Sequence, residues 1–312
     1  MWAFHKIPEI DFLGRGSHII LWMSAVVFLV CAVTIGTRGF NLGIDFTGGT
    51  VIEVSYPERA ELGEIRTLLH DAGFDDAQVQ HFGSPREVLI RIAPREDEEA
   101  AEISNQILNM LNREIDGTVD LRRVEFVGPQ VGRELAEDGG LALLLALIAI
   151  LIYVAVRFEY RFAMGSVLAL IHDVVIIAGI FSIAGLQFDL TVLAALLAVI
   201  GYSLNDTIVV FDRIRENFRI VRKGTPREVI NKSVNQMIPR TLMTSLTTLL
   251  VLLSLLILGG EIIRNFAIAL ILGILIGTYS SIYVAGNSAL WLGVSKADLM
   301  PPKKEEGSGE VL

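Results

Sequence analysis

Cysteine is nearly absent from this sequence, and Cys31 is the single one among 312 residues. One thiol cannot form a disulfide framework, and it cannot supply the several sulfur ligands of a structural zinc site. Because Cys31 lies within a long apolar run, we expect it to be a small buried side chain. We therefore expect neither a disulfide nor a metal, and no motif predicts another cofactor.

The sequence also lacks a loop that could hold a nucleotide. Its most promising glycine-rich stretch, GIDFTGGT at 43–50, continues with Thr50 and Val51 into a predicted strand. A P-loop instead places Lys and then Ser or Thr after its second glycine, and it continues as a helix. We interpret 43–50 as a tight turn between the first apolar run and the next segment. Work done by this chain is therefore not driven by a nucleotide bound to it.

Lysine is missing from the segment 37–138, which contains ten Arg against 21 Asp and Glu, a net charge of −11. Nucleic-acid binding needs a basic surface that attracts phosphates, so this segment predicts no nucleic-acid partner.

Long apolar runs dominate the rest of the chain. Hydrophobic residues make up 52% of the sequence and the mean hydropathy is +0.55. A helix needs about 20 residues to cross a bilayer core of about 30 Å. Six runs are close to that length: 19–36, 139–156, 162–185, 190–211, 242–258 and 266–289. The first is too long for the apolar part of a signal peptide, so we expect a retained anchor.

The charge of the connecting segments predicts the orientation, because positive loops stay on the cytoplasmic side. Residues 212–240 carry eight Lys and Arg against three acidic residues, a net charge of +5. We expect this basic loop to be cytoplasmic, and by parity the terminal segments 1–18 and 293–312 are cytoplasmic too. The acidic segment 37–138 then faces the other side of the membrane.

Residues 37–138 carry the pattern of a small folded domain. Alternating or β-branched residues predict strands at 48–56, 77–82, 87–93 and 118–127. Apolar residues at helical spacing predict helices at 61–73 and 96–111. The order β-α-β-β-α-β is that of the ferredoxin-like α+β sandwich. The predicted fold is a polytopic α-helical membrane protein with six transmembrane helices and a ferredoxin-like domain between spans one and two.

Two carboxylates interrupt the predicted spans: Asp173 beside His172, and Asp206 beside Asn205. An ionised Asp at the bilayer centre costs about 2.5 to 3.5 kcal/mol on insertion scales, so such residues usually face protein and usually serve a pathway. A carboxyl group removed from water also gives up its charge more readily. We therefore predict a proton pathway that uses these four residues together with Arg240. Asp206 lies only five residues before 211, so its depth depends on how far the helix continues.

Arg240, at the start of the predicted fifth span, is a candidate counter-ion for Asp206. Two interpretations remain open: the guanidinium reaches Asp206, or it turns toward the cytoplasmic surface and only satisfies the charge rule. Asp173 with His172 is either part of the proton pathway or a structural hydrogen-bonded pair. In the sixth span a stripe of small residues at four-residue spacing allows close packing, within the chain or against a partner. The stripe consists of Gly273, Gly277, Ser281 and Ala285.

Four stretches together resemble the SecF family of protein-export membrane proteins. They are FNLGIDFTGGT at 40–50, RVEFVGPQVGRELAEDG at 123–139, IHDV at 171–174 and GYSLNDTIVVFDRIREN at 201–217. The resemblance extends from about residue 38 to 290, and the family has the same layout of six spans with one large loop after the first.

The resemblance implies an accessory subunit of the Sec translocase in the bacterial inner membrane, related to resistance-nodulation-division transporters. Such a subunit works with SecD, the SecYEG channel and often YajC, and uses the proton motive force to help preproteins cross. It implies that the large loop is periplasmic. Family residues linked to proton conduction fall on Asp206 and Arg240. Because some family members fuse SecD and SecF, this chain is expected to need a separate SecD to complete a twelve-span unit.

Two other classes compete with this interpretation. A half-transporter of the same superfamily could export a lipid or a small molecule, although such transporters usually carry larger loops and a second half. An intramembrane aspartyl protease would use two aspartates on adjacent spans, but its Gly-x-Gly-Asp motif is replaced here by Ser203-Leu204-Asn205-Asp206. We therefore expect no enzymatic activity.

Overall fold

The computed structural model describes residues 10–95, 100–114, 119–158, 160–221 and 223–294. Parts of three predicted features lie outside these residues: the first half of the terminal segment 1–18, most of the terminal segment 293–312, and the start of the predicted helix at 96–99. In chain order the elements are α1 (Arg15–Arg38), β1 (Asn41–Leu42), α2 (Ile44–Thr47), β2 (Gly49–Ser55), α3 (Leu62–Asp71), β3 (Gln78–Phe82), β4 (Ser84–Ile92), α4 (Ala100–Glu114), β5 (Asp120–Val127), α5 (Pro129–Arg157), α6 (Tyr160–Ala184), β6 (Gln187–Phe188), α7 (Leu190–Ile220), α8 (Pro226–Leu258), a 3₁₀ turn (Glu261–Ile263) and α9 (Arg264–Trp291).

Six helices of the described chain are long and apolar enough to cross a membrane, which confirms the predicted number. They are α1, α5, α6, α7, α8 and α9. The helices α6, α7 and α9 are the most buried of the six, whereas α1, α5 and α8 leave most of their apolar side chains exposed. The bundle therefore has three central helices, and the outer three present the surface suited to lipid.

The prediction that 212–240 is a loop is wrong. Helix α7 continues nine residues beyond 211, and α8 begins at Pro226 rather than near 242. A capping box starts α8: Thr225 Oγ1 accepts from the Glu228 backbone N–H, and the Glu228 carboxylate accepts from the Thr225 N–H. Hydropathy finds only the apolar part of such a helix, so the polar extensions were mistaken for a connection.

Small residues bring the central helices together. A Cβ added at Gly273 of α9 would overlap Val199 of α7, and one added at Gly277 would lie 3.0 Å from Ser203 Cβ. The stripe of small residues in α9 therefore packs within this chain. Helix α1 approaches α6 in the same way, because a Cβ at Gly179 would overlap Cys31, which is buried as predicted.

The segment between α2 and α5 forms a small sheet domain. Its four strands are antiparallel in the order β3-β4-β2-β5, and Ile52 on β2 is aligned with Ile90 on β4 and Val124 on β5. The helices α3 and α4 cover one face of the sheet, with Ile65 and Ile107 in its core. The strands and helices lie close to their predicted positions, except that β4 starts at Ser84 rather than at 87, which leaves only Gly83 between β3 and β4.

The prediction of a simple tight turn at 43–50 is also wrong. The segment forms one turn of helix, α2, and then enters β2 through Gly48 and Gly49, whose φ values are 72° and 121°. Just before it, β1 pairs in parallel with β6 of the connection between α6 and α7. This pairing joins residues about 145 positions apart, so no local pattern could have predicted it.

We expect Gly179→Ala to destabilise the bundle. The added methyl group overlaps Cys31 and forces α1 away from α6, at a cost of about 1 to 3 kcal/mol. Thermal unfolding of the purified protein in detergent measures this. Gly140→Ala is the matched control, since it adds the same methyl group to a helix where nothing lies within 4 Å. Equal unfolding temperatures for the two variants would contradict the close contact.

Candidate functional site

Asp173 lies in the centre of the bundle with its carboxylate fully engaged. Its side chain is 1% exposed. Oδ2 accepts hydrogen bonds from Ser203 Oγ of α7 at 2.6 Å and from Ser280 Oγ of α9 at 2.8 Å, and Oδ1 lies 3.0 Å from Nδ1 of His172. Each oxygen has a polar partner, so the carboxylate joins three central helices at one level.

His172 extends this network to an outer helix. Its Nε2 lies 2.6 Å from Ser24 Oγ of α1, while its ring stacks with Phe28 at a centroid distance of 6.2 Å. The Tyr279 ring of α9 lies at the same distance on a tilted plane. A continuous hydrogen-bonded chain therefore runs from Ser24 through His172 and Asp173 to the serines of α7 and α9.

Asp206 occupies a different environment one turn along α7. It is the seventeenth of the 31 residues of α7 and is 6% exposed. Its Oδ2 has no hydrogen-bond partner among the described residues. Tyr202 Oη and Thr207 Oγ1 of α7 and Thr241 Oγ1 of α8 also have no hydrogen-bond partner among the described residues. Because α7 continues to Ile220, Asp206 lies near the middle of its helix rather than near its end.

Arg240 forms no ion pair with Asp206. Among the described residues no guanidinium nitrogen of Arg240 lies within 4 Å of the Asp206 carboxylate oxygens, and Oδ2 of Asp206 has no hydrogen-bond partner. Arg240 is the fifteenth of 33 residues in α8, one position after Pro239, and its side chain is exposed. The predicted position at the start of a helix is therefore wrong, and direct pairing is absent in this arrangement.

Asn205 faces away from its neighbour. Its side chain is exposed while Asp206 is buried, so the two adjacent polar residues of α7 lie on different sides of the helix, one at the bundle surface and one in its interior. Of the five predicted pathway residues, the structure brings Asp173 and His172 into contact. It places Asp206 one turn from Ser203, about 4.5 Å along the helix axis. Asn205 and Arg240 lie on the outside of the bundle.

Serine and threonine are the site residues that sequence reasoning missed. Ser24, Ser203, Ser280 and Thr241 carry no sequence signal, because hydroxyl side chains in apolar helices commonly bond to their own backbone. Ser166 and Ser288 do so here, each donating to the carbonyl four residues earlier. Only the three-residue spacing of Ser203 and Asp206 on α7 could have drawn attention to one of them.

Two parts of the chain match known protein families. Residues 33–56 match the family described as the SecD/SecF GG motif. Residues 107–295 match the family described as protein export membrane protein SecD/SecF, C-terminal. The first match contains β1, α2 and all of β2, and the second contains α5 to α9, including both aspartates.

Whole-length relatives agree with these matches. The protein translocase subunit SecF of Vibrio alginolyticus is 53% identical over 95% of this chain and 94% of its own length. The SecF of Escherichia coli O157:H7 is 46% identical over 97% of this chain and 94% of its own length.

Solved structures agree as well. A crystal structure of SecDF, a translocon-associated membrane protein from Thermus thermophilus, has a TM-score of 0.83 and 39% identity over 93% of this chain. A SecDF structure in a super-membrane-facing form has a TM-score of 0.69 at the same identity and coverage. The chain spans 39% of the length of each SecDF chain. On these grounds the chain belongs to the SecF family of protein translocase subunits.

Proposed function

We propose that this SecF-family chain couples the proton motive force to preprotein translocation, and that Asp206 carries the proton. The observation that carries this proposal is a buried carboxylate oxygen without a hydrogen-bond partner, in the middle of a membrane-spanning helix. A charged carboxylate in that position is poorly stabilised, so binding or losing a proton changes its interactions strongly. One elementary charge crossing the membrane supplies about 2.3 kcal/mol per 100 mV, enough over a few protons to move a helix.

Arg240 is the proposed partner of the charged form. It is a cation in the middle of α8, which packs against α7, and the hydroxyl of the next residue, Thr241, has no hydrogen-bond partner among the described residues. When Asp206 loses its proton, the guanidinium moves toward the carboxylate. When Asp206 is protonated, the attraction is lost and Arg240 returns to the surface. The described arrangement, with no ion pair between the two, corresponds to the protonated form.

The proposed role of Asp173 and His172 differs from that of Asp206. Both oxygens of Asp173 have partners, so a change of its proton would break several hydrogen bonds at once. We propose that this network is the fixed part of the pathway, which holds α1, α6, α7 and α9 in register. The proton exchanges one turn away at Asp206.

The domain and its location complete the proposal. The order of elements and the antiparallel pairing β3-β4-β2-β5 support a ferredoxin-like βαββαβ domain. We propose that it is periplasmic, that both termini are cytoplasmic, and that the membrane is the bacterial inner membrane. SecD is a proposed partner, because the solved structures that this chain resembles are of SecDF. The SecYEG channel, the preprotein and YajC are the further proposed partners.

Export of a small molecule or lipid by a half-transporter is less well supported. The relatives that match over almost the whole chain are named as protein translocase subunits, and no catalytic activity is indicated for them.

The first test replaces the proposed proton carrier. Asp206→Asn should abolish proton-dependent export because the amide cannot exchange a proton, while the complex still assembles. Export is measured in membrane vesicles with and without a proton gradient. Asp212→Asn, the same change at an exposed position of α7, is the matched control and should export normally. Wild-type export by Asp206→Asn would refute the proposal.

The second test separates the two aspartates. Asp173→Ala leaves two buried hydroxyls and a histidine without their partner. The free energy of unfolding should therefore fall by about 3 to 5 kcal/mol. Asp206→Ala removes a carboxylate oxygen that has no partner, so it should destabilise the protein less. Thermal unfolding in detergent compares them directly. A larger loss for Asp206→Ala would contradict the assigned roles.

The third test concerns the partner. Mild extraction from native membranes, followed by affinity purification of this chain, should recover a SecD chain and the channel subunits. Recovery of neither under conditions that preserve the channel itself would favour the half-transporter.

A further inference from the structure

The outer end of α7, the helix that carries Asp206, is held by two carboxylates. Asp189 is the N-cap, with Oδ1 accepting from the Val192 N–H at 2.9 Å and from Thr191 Oγ1 at 2.6 Å. Asp45 of α2 adds a second bond, because its Oδ2 accepts from the Leu190 N–H at 2.9 Å. The first N–H groups of a helix lack internal partners, and negative charge stabilises that end. A residue outside α7 thus completes its cap.

Backbone pairing reinforces this contact. Asn41 and Leu42 of β1 are aligned with Gln187 and Phe188 of β6, and the Gly43 N–H donates to the Phe188 carbonyl at 2.8 Å. We name the two paired segments, residues 41–47 and 187–192, the outer clamp. A Cβ built at Gly43 lies 3.0 Å from Asp189 Cβ, so the two segments are in van der Waals contact.

The outer clamp is also anchored in the bundle. Phe46 of α2 packs among α6 and α7 side chains in the same cluster as Phe188 and Leu193. Helix α5 approaches it through glycine: a Cβ at Gly132 would lie 2.7 Å from the Gly48 backbone N. Segment 41–47 therefore belongs mechanically to the bundle, although it lies next to the sheet domain in the chain.

The sheet domain rests directly on the outer clamp. Ile44 of α2 packs with Val51 and Leu89 on the sheet face opposite α3 and α4. Arg91 of β4 donates through Nη1 to the Leu42 carbonyl at 3.0 Å. Burial lowers the pKa of Arg91, and the nearby carboxylates of Asp189 and Asp45 oppose that shift. A movement of the outer clamp is therefore transmitted to the sheet domain by the packing of Ile44 and by the hydrogen bond of Arg91.

We infer that Asp45 is a positioning residue that couples α7 to the sheet domain by capping α7 from outside the helix. The inference rests on the proposed role of Asp206. It explains how a movement of α7 inside the membrane is transmitted to the sheet domain outside it. The outer clamp stays closed throughout the cycle, and the domain follows the end of α7 as it moves.

Substitution of Asp45 tests the coupling. Asp45→Ala removes one capping bond and should lower the export rate about fivefold. Proton uptake that depends on Asp206 should remain, because the site itself is unchanged. Asp45→Asn keeps an oxygen that can accept from Leu190 N–H and should restore most of the export. Asp75→Ala removes an exposed acid of the sheet domain that lies outside the outer clamp, and is the matched control.

A disulfide tests whether the outer clamp remains closed. Gly43→Cys with Asp189→Cys places two Cβ atoms near the separation of a disulfide, about 3.5 to 4.5 Å, after a small shift. Oxidation of this variant should leave export equal to, or above, that of the reduced form. In the Asp45→Ala background, oxidation should restore export, because the covalent bond replaces the lost cap.

The outcomes distinguish this inference from the proposed function. Loss of export on oxidation would show that the clamp must open, and would overturn the inference. Normal export by Asp45→Ala, alongside a defective Asp206→Asn, would overturn the inference alone. Normal export by Asp206→Asn would overturn the proposed function, whatever Asp45 does.

Discussion

Burial of the Asp173 carboxylate is the constraint on which the bundle depends. A charged or strongly polar group in a bilayer must find its partners inside the protein, because lipid offers none. Ser203, Ser280 and His172 supply them from three helices. Those helices must approach closely for serine hydroxyls to reach one carboxylate, and the glycines of α9 permit that approach at Val199 and Ser203. The close helix packing that small residues allow is therefore what lets the buried Asp173 find its hydrogen-bond partners.

Helix α7 connects the three regions that matter for the proposed function. Its 31 residues extend for about 46 Å, so it is longer than a bilayer core is thick. Asp45 caps it at one end, Ser203 fixes it to Asp173 near the middle, and Asp206 lies one turn further on. Each carboxylate oxygen of Asp173 has a hydrogen-bond partner, whereas Oδ2 of Asp206 has none among the described residues. The two carboxylates therefore differ in how well their surroundings stabilise them. The proposed proton exchange takes place at the carboxylate whose Oδ2 has no hydrogen-bond partner among the described residues.

Sequence reasoning located the spans and the domain strands because apolar runs and alternation are local properties. It placed Asp173, His172 and Asp206 inside the helices for the same reason. It failed where structure depends on distant residues: the β1 pairing with β6, and the contribution of Ser203 and Ser280. It also failed at 212–240, since a helix with a polar extension has no apolar signal there, although the Thr225 and Glu228 spacing of a capping box was present.

Asn205 and Arg240, like Asp173, are polar residues in membrane-spanning helices and need hydrogen-bond partners that lipid does not offer. Thr244 and Thr247 beside them satisfy their hydroxyls on carbonyls of α8 itself, so they can face any surroundings. An amide and a guanidinium cannot do so, and lipid would leave both without partners. We propose that a surface of SecD, the other part of the matched SecDF structures, satisfies them. In this proposal the proton site lies at a boundary between two subunits, where Arg240 can move toward Asp206 without disturbing the packed core around Asp173.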